Sequence, residues 1–130
     1  IKTLNYGTMI HTKNVAQVFQ QMHTCAVNEK VFLKKDFSFT LKNDSIQTFT
    51  GSESGFDLIY FDAFGPAVQP EMWTIEVFNK MYALLNASGI LVTYCAKGEV
   101  KRTLKSAGFK VEGLPGPPGK REITRAIKLN

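Results

Sequence analysis

The chain has 130 residues, a mass of 14.5 kDa and a formal net charge of +5, with 44% hydrophobic and 21% charged residues. This composition is that of an ordinary globular protein, and the length suits one domain with a sizeable core, so wholesale disorder and fibrous architectures are excluded. No apolar run approaches the roughly eighteen residues that a membrane helix needs, and no signal segment opens the chain. Cys25 and Cys95 have neither disulfide-framework nor zinc-site spacing, so we expect reduced thiols in a cytoplasmic protein.

The positive charge is concentrated in the last quarter of the chain. Residues 1–96 carry seven lysines against eight acidic residues, whereas residues 97–130 carry nine Lys or Arg against three glutamates. A localised basic field suggests a polyanionic partner, most often nucleic acid. The alternative is a solvated helix face next to a lysine-rich edge strand, and charge alone does not decide between the two.

The hydrophobic pattern near the start predicts a helix followed by extended segments. We expect helix in the first thirty residues, where apolar residues recur at helical spacing from Val15 to Met22 and Asn14 is a candidate N-cap. A period-2 alternation over residues 31–41 predicts a hairpin or two successive strands. Residues 46–49 fit one helical turn, and residues 51–55 fit a surface loop.

The middle of the chain has two strands separated by a helix. Residues 56–62 are apolar on both faces, which is typical of a strand in a parallel sheet covered by helices. A Gly-Pro break follows, and Pro70 then opens a helix over residues 71–85. Residues 86–89 end this helix, and residues 89–95 are predicted to form a second buried strand.

The last third contains a basic helix and two further strands. The helix covers residues 97–107, with Val100, Leu104 and Ala107 facing inward and Gly108 as its stop. A strand at 109–114 and another at 121–129 are predicted to form an antiparallel pair around a Pro-Gly loop. Continuous apolar strands that alternate with helices predict an α/β fold built on an open sheet.

Two acidic residues follow predicted strands, at the end where ligands bind in open α/β sheets. Asp62 ends a buried strand just before the Gly-Pro break, which places its carboxylate at the mouth of a cleft. A capping or loop role is the alternative for Asp62, and Asp44 in its Asn-Asp-Ser turn is the weaker candidate. Trp73, in the first turn of a helix, favours core packing over base stacking. The sequence has no Walker loop, GxGxxG motif or metal-ligand cluster.

The segment from Asp57 to Thr74 resembles the signature of the MnmC-type methyltransferase domain. Its sequence is DLIYFDAFGPAVQPEMWT, which has the Asp, small residue, Phe and Pro of that family and, further on, its second Pro and its Trp. The resemblance spans roughly residues 37–126 and includes the segments 89–94, 100–104, 107–109 and 119–122.

The resemblance implies a class I S-adenosylmethionine-dependent methyltransferase with a Rossmann-like α/β sheet. The family completes the methylaminomethyl group on the wobble uridine of certain tRNAs by methylating an exocyclic primary amine. S-adenosylmethionine is therefore the expected cofactor and tRNA the expected partner, with no metal and no membrane association. Some members are fused to a flavin-dependent oxidase, and nothing in this sequence resembles that oxidase.

The resemblance also assigns roles to individual residues. Asp62 is the expected catalytic residue, because a carboxylate at the cleft mouth can orient a neutral amine and stabilise its developing positive charge. Asp44 and Ser45 are expected to contact the adenine of the cofactor. Asp62, Ala63 and Phe64 are expected to contact its methionine end. Substrate contacts, including those to tRNA phosphates, are expected from Pro66, Trp73, Lys97, Lys101, Arg102, Lys120 and Arg121.

The family's glycine-rich first loop, and the acidic residue that ends its second strand, have no counterpart in this sequence. We therefore expect residues 1–130 to be the C-terminal portion of a single methyltransferase domain, with an incomplete sheet that lacks its first two strands. The upstream part of the same protein is then a partner, and cofactor binding by this chain alone should be weak or absent. The exposed sheet edge also suggests a homodimer.

Two other functions fit the same residues. One is a methyltransferase of the same fold that acts on another amine or on a nucleobase, because loops set the acceptor and fold does not fix function. The other is a non-catalytic RNA-binding or interaction module that keeps the sheet and the basic C-terminal segment.

Overall fold

The computed structural model describes residues 14–49 and 55–129. The chain divides into two compact units, Ile1–Ser45 and Ile46–Asn130, and each has a sheet of its own. The assignment of the chain to a single domain stays a prediction. The predicted helical residues 1–13 and the predicted loop residues 51–54 lie outside the described residues.

The described residues of the first unit, 14–45, form one helix and one hairpin. Helix α1 (Val15–Thr24) confirms the predicted helix. Asn14 is the N-cap residue, as predicted, but it has a φ of 66° and its side chain makes no capping hydrogen bond. Strands β1 (Lys30–Lys34) and β2 (Phe37–Thr40) pair antiparallel. Of the two predicted alternatives, the hairpin is therefore confirmed.

The second unit is built on a four-stranded mixed sheet in the order β3–β4–β6–β5. Strands β3 (Phe56–Phe61) and β4 (Leu85–Thr93) are parallel. Strand β6 (Glu122–Lys128) lies between β4 and β5 (Phe109–Pro115) and is antiparallel to both. The parallel pair and the final antiparallel pair confirm the predicted α/β fold class.

Two helices flank β4 in the chain. Helix α2 (Ile75–Leu84) begins later than predicted, because a 3-10 turn occupies Pro70–Met72. The Thr74 hydroxyl caps the helix by accepting a hydrogen bond from the Val77 N–H at 3.4 Å. Helix α3 (Gly98–Ser106) is the predicted basic helix. None of the helices in residues 14–49 and 55–129 has the length and apolar character that crossing a membrane requires.

The core of the second unit is one hydrophobic cluster of helix and strand side chains. Phe78 of α2, Leu104 of α3, Leu91 of β4 and Ala126 of β6 are completely buried within it. Burying a large apolar side chain stabilises the folded chain by about 1.5–3 kcal/mol, so this cluster fixes how the helices lie on the sheet. The sheet in turn fixes where β3 and β4 end.

Strand β3 is less buried than its apolar sequence predicts. It lies at an edge of the four-stranded sheet, with Leu58 43% and Tyr60 77% exposed. Of its residues only Phe61, the last, is buried. Burial on both faces is therefore wrong for β3, because the described part of the chain pairs with it on one side only.

Residues 46–48 form a single turn, which agrees with the one helical turn predicted for residues 46–49. One predicted boundary differs from the structure. Strand β4 begins at Leu85 and not at residue 89, because a register irregularity between Phe56 and Leu58 keeps Leu85 paired with Phe56. Ser88, with a φ of 62°, lies within this irregular stretch.

Candidate active site

A cleft of about 420 Å³ lies at the carboxyl ends of the parallel strands β3 and β4. Ligands bind at this end of the strands in open α/β sheets. We call it the β3–β4 cleft, and three of the predicted substrate-binding residues, Pro66, Lys97 and Lys120, line it together. Its other lining residues are Gly65, Ala67, Tyr94, Cys95 and Ala96.

Asp62 directly follows the last residue of β3, as predicted, and its side chain is exposed. The preceding Phe61 is 6% exposed and packs edge-on against Trp73, with 4.9 Å between the ring centroids. Among the described residues, the Asp62 carboxylate has no hydrogen bond or ion pair. An exposed carboxylate therefore projects from a strand end that is anchored in the core.

Two aromatic side chains hold the backbone that follows Asp62. The Tyr94 hydroxyl donates a hydrogen bond to the Ala63 carbonyl at 2.9 Å, and the Trp73 indole N–H donates one to the Phe64 carbonyl at 2.7 Å. The Phe64 ring itself is 73% exposed, so it presents apolar surface two residues after Asp62.

Trp73 is a core residue. It is 7% exposed, and its ring packs edge-on against Phe61, Phe78 and Tyr94 at centroid distances of 4.9, 6.3 and 6.3 Å. This burial agrees with the core interpretation favoured by the sequence and leaves the ring little surface on which a base could stack. A contact between Trp73 and the substrate stays a prediction.

Asp44 and Ser45 lie at the end of the first unit, whereas Asp62 belongs to the second. Both are exposed, in the irregular segment that follows β2. Their expected contact with adenine stays a prediction.

The predicted tRNA-binding cations differ in how far they are neutralised. Lys101 lies 2.8 Å from the Glu122 carboxylate and its side chain is only 24% exposed. Lys97 is 3.7 Å from Glu99, and both of these side chains are more than half exposed. Of the two lysines, Lys97 is therefore the more accessible to a phosphate.

Arg102 and Arg121 are exposed and have no ion pair within the part of the chain that the structure describes. The Lys120 ammonium lies 4.5 Å from the centroid of the Tyr94 ring, which is the geometry of a cation–π contact. The role of Tyr94 could not be predicted from the sequence, because an aromatic residue that follows a strand gives no signal of the backbone carbonyl that it will bind.

No group of three or more His, Cys, Asp or Glu side chains among residues 14–49 and 55–129 could hold a metal ion. Cys25 and Cys95 are both free thiols, and Cys95 is a buried residue in the lining of the cleft. The chemistry that the described site offers is therefore that of a carboxylate, lysine ammonium groups and aromatic surface.

Comparison with known proteins gives a family and a set of relatives. A family model described as S-adenosyl-L-methionine-dependent methyltransferase matches residues 8–129. The tRNA 5-methylaminomethyl-2-thiouridine biosynthesis bifunctional protein MnmC of Pseudomonas syringae pv. syringae (strain B728a) is 36% identical over 85 residues, which is 65% of this chain and 13% of that protein. The protein of the same name from Cupriavidus metallidurans is 42% identical over 72 residues, 55% of this chain and 11% of that protein. The chain thus spans about an eighth of the length of these curated relatives.

Two solved structures share the fold. The crystal structure of MNMC2 from Aquifex aeolicus superposes with a TM-score of 0.69 at 23% identity, covering 86% of this chain and 35% of that chain. The N-methyltransferase NodS from Bradyrhizobium japonicum WM9 superposes with a TM-score of 0.52 at 15% identity, covering 70% of this chain and 60% of that chain. Both likenesses confirm the Rossmann-like methyltransferase fold.

Proposed function

This chain belongs to the family of S-adenosyl-L-methionine-dependent methyltransferases, and from that premise we propose that it methylates the exocyclic amine of 5-aminomethyl-(2-thio)uridine at the wobble position of tRNA. The observation that carries the proposal is Asp62, an exposed carboxylate at the carboxyl end of a parallel strand, three residues before Gly65 in the lining of the β3–β4 cleft. The similarity to MnmC proteins supports this choice of acceptor. A tRNA substrate also implies action in the cytoplasm.

The Asp62 carboxylate acts on the amine. Bound S-adenosylmethionine would supply an electrophilic methyl group, and the bond between that methyl and sulfur would break as the new N–C bond forms, leaving a neutral thioether. Asp62 accepts a hydrogen bond from the neutral amine, directs the nitrogen lone pair, and stabilises the positive charge that develops on the nitrogen as the new N–C bond forms. The methylated nitrogen then loses its surplus proton to solvent, because solvent has access to the exposed Asp62 carboxylate and the amine beside it.

We assign two groups of described residues to the cofactor. Ala63 and the exposed Phe64 ring follow Asp62 directly and suit the methionine end, where a carboxylate and apolar surface would face a sulfonium. Asp44 and Ser45 are assigned to the adenine. The sequence has no glycine-rich loop for the rest of the cofactor, so these residues alone give weak binding.

Substrate contacts combine the cleft with the basic segment. Pro66 and Ala67 give the cleft an apolar wall for a nucleoside, while Lys97 and Lys120 place ammonium groups on the same cleft. Arg102 and Arg121 extend the positive charge to phosphates further along the tRNA, and Lys101 contributes less because Glu122 neutralises it.

A second copy of the chain is a proposed partner along β3. This edge strand exposes the apolar side chains of Phe56, Leu58 and Tyr60, at 39%, 43% and 77%. Unpaired backbone groups next to apolar side chains are a template for pairing with another strand.

The test is transfer of labelled methyl from S-adenosylmethionine to tRNA. It uses the 130-residue chain and a hybrid in which the N-terminal methyltransferase segment of the Pseudomonas syringae relative precedes residue 1. We expect the hybrid to label tRNA that carries 5-aminomethyl-2-thiouridine and to leave tRNA without the aminomethyl group unlabelled. Labelling of both tRNAs would indicate a nucleobase or another amine as acceptor. Binding of tRNA with no labelling would favour the non-catalytic RNA-binding module.

A further inference from the structure

We infer that Tyr94 is a positioning residue for the proposed reaction, acting together with Trp73 to fix the backbone that carries Asp62. The Tyr94 hydroxyl and the Trp73 indole N–H bind the carbonyls of Ala63 and Phe64, and we call this pair of hydrogen bonds the carbonyl clamp. The inference rests on the proposed function, because Asp62 is the group that the clamp positions.

The two halves of the clamp form one packed unit. Tyr94 directly follows β4, and Trp73 comes from the segment between the 3-10 turn and α2. Their rings meet edge-to-face, with 6.3 Å between centroids and an interplanar angle of 88°. Because the donors are held against each other, the two consecutive carbonyls that they bind are held in a fixed relation.

Asp62 lies between anchored residues on both sides. Before it, the buried Phe61 ring packs on Trp73 at 4.9 Å. After it, the carbonyls of Ala63 and Phe64 are fixed by the clamp. Trp73 takes part on both sides, so it braces the strand end while the Asp62 side chain stays exposed. A functional side chain on a fixed backbone is held in one orientation and remains accessible to its ligand.

The turn beyond the clamp provides a direct measure of its effect. The amides of Val68 and Gln69 both donate to the Gly65 carbonyl, at 2.8 and 3.0 Å. Gly65 immediately follows the second clamped carbonyl, so loosening of the clamp should raise the rate at which these two amides open and exchange with solvent.

The chain offers a closely matched control for Tyr94. The Tyr82 hydroxyl also donates to a backbone carbonyl, that of Leu129, at 3.4 Å. A lysine lies over each ring, Lys120 at 4.5 Å from Tyr94 and Lys128 at 4.9 Å from Tyr82. Phenylalanine at either position keeps the ring and its cation–π contact and removes only the hydroxyl.

The first experiment is hydrogen exchange by NMR on the 130-residue chain with Tyr94→Phe and Tyr82→Phe. Loss of one net hydrogen bond should speed exchange of the Val68 and Gln69 amides and of the Trp73 indole N–H by about fivefold in Tyr94→Phe. Tyr82→Phe should leave these three rates unchanged. Equal rates in Tyr94→Phe and the unsubstituted chain, or equal acceleration in both variants, would overturn the inference.

The second experiment separates positioning from a general structural role. In the hybrid, Tyr94→Phe should lower kcat about fivefold and leave the KM for S-adenosylmethionine and for tRNA unchanged, while Tyr82→Phe changes neither. A raised KM with unchanged kcat would overturn the positioning role. If the unsubstituted hybrid transfers no methyl, the proposed function fails, and the exchange rates still decide whether the clamp fixes the loop.

Discussion

The Asp62 side chain is exposed, while the residues before and after it are anchored. The anchoring side chains come from places both near to Asp62 and far from it in the sequence. That an aspartate ends an apolar strand is visible in the sequence, and its place at the cleft end of β3 could be predicted. The hydrogen bonds of Tyr94 and Trp73 to the next two carbonyls could not, because they depend on side chains 31 and 9 residues away.

Replacement of Asp62 by asparagine tests its chemical role. Asparagine keeps the size and removes the negative charge, so kcat for methyl transfer by the hybrid should fall about a hundredfold or more. Asp57→Asn is the matched control, since Asp57 is also exposed but lies near the other end of β3. Its carboxylate accepts a hydrogen bond from Asn86 Nδ2 at 2.8 Å. Similar rates for Asp62→Asn and the unsubstituted hybrid would exclude the catalytic assignment.

Glu112 gives the stability a defined pH dependence. Hydrogen bonds from Arg125 first, and from Lys110 second, lower the pKa of Glu112 from its ordinary value of 4.5. A carboxylate with a lowered pKa stabilises the folded state fully above its ordinary pKa, and this contribution is lost as the pH falls through the lowered pKa. Glu112→Gln should therefore be less stable than the unsubstituted chain at neutral pH, with a difference that shrinks in acid.

Urea unfolding at a series of pH values measures this difference. Glu99→Gln is the control, because the Glu99 carboxylate is exposed and 3.7 Å from its lysine partner, and it should change stability little at any pH. A stability difference for Glu112→Gln that stays constant from neutral to acidic pH would contradict the role given to this ion pair.

Among the elements, those whose burial is decided by their own amphipathic pattern were predicted well. Helix α3 with its C-cap Ala107 is an example, since Val100, Leu104 and Ala107 were all expected to face inward and are 2%, 0% and 8% exposed. The burial of β3 was predicted wrongly, because an apolar strand gives no sign of whether one or two strands pair with it. Local sequence determines the face of a helix, whereas the position of a strand in its sheet depends on distant residues.

The exposed edge of β3 predicts self-association that a single charge should weaken. Tyr60→Lys puts an ammonium group on the edge strand, where charge opposes pairing with a second strand. Val68→Lys is the control, because Val68 is also largely exposed, at 75%, but lies in the loop after β3. In sedimentation, the unsubstituted chain and Val68→Lys should dimerise as concentration rises, and Tyr60→Lys should stay monomeric. Monomers at every concentration for all three would refute the β3 interface.

For the whole molecule, the sequence predicted the α/β class correctly but gave no sign of two compact units. The class follows from alternating strand and helix signals, each of which is local. The division into units depends on which segments pack together, and the hairpin of residues 30–40 has the same local signals as a strand of the main sheet. The uneven distribution of charge is likewise a sequence property, but only the structure distinguishes free cations from paired ones.

The free arginines predict how tRNA binding depends on salt. Arg102→Gln and Arg121→Gln should each weaken binding and reduce the slope of log K against log salt by about 1, because each removes one phosphate contact. Lys34→Gln removes the same charge from β1, outside the basic segment, and should change the slope little. Filter binding across a salt series measures all three. Binding that does not depend on salt would rule out the phosphate surface.

The central claim is that this chain contributes one end of an S-adenosylmethionine site. Calorimetric titration of S-adenosylmethionine into the 130-residue chain and into the hybrid tests it most directly. We expect saturable binding by the hybrid, weakened by Phe64→Ala, and weak or no binding by the chain alone. Absence of binding to both, with both folded by circular dichroism, would contradict the claim and leave the RNA-binding module as the better account.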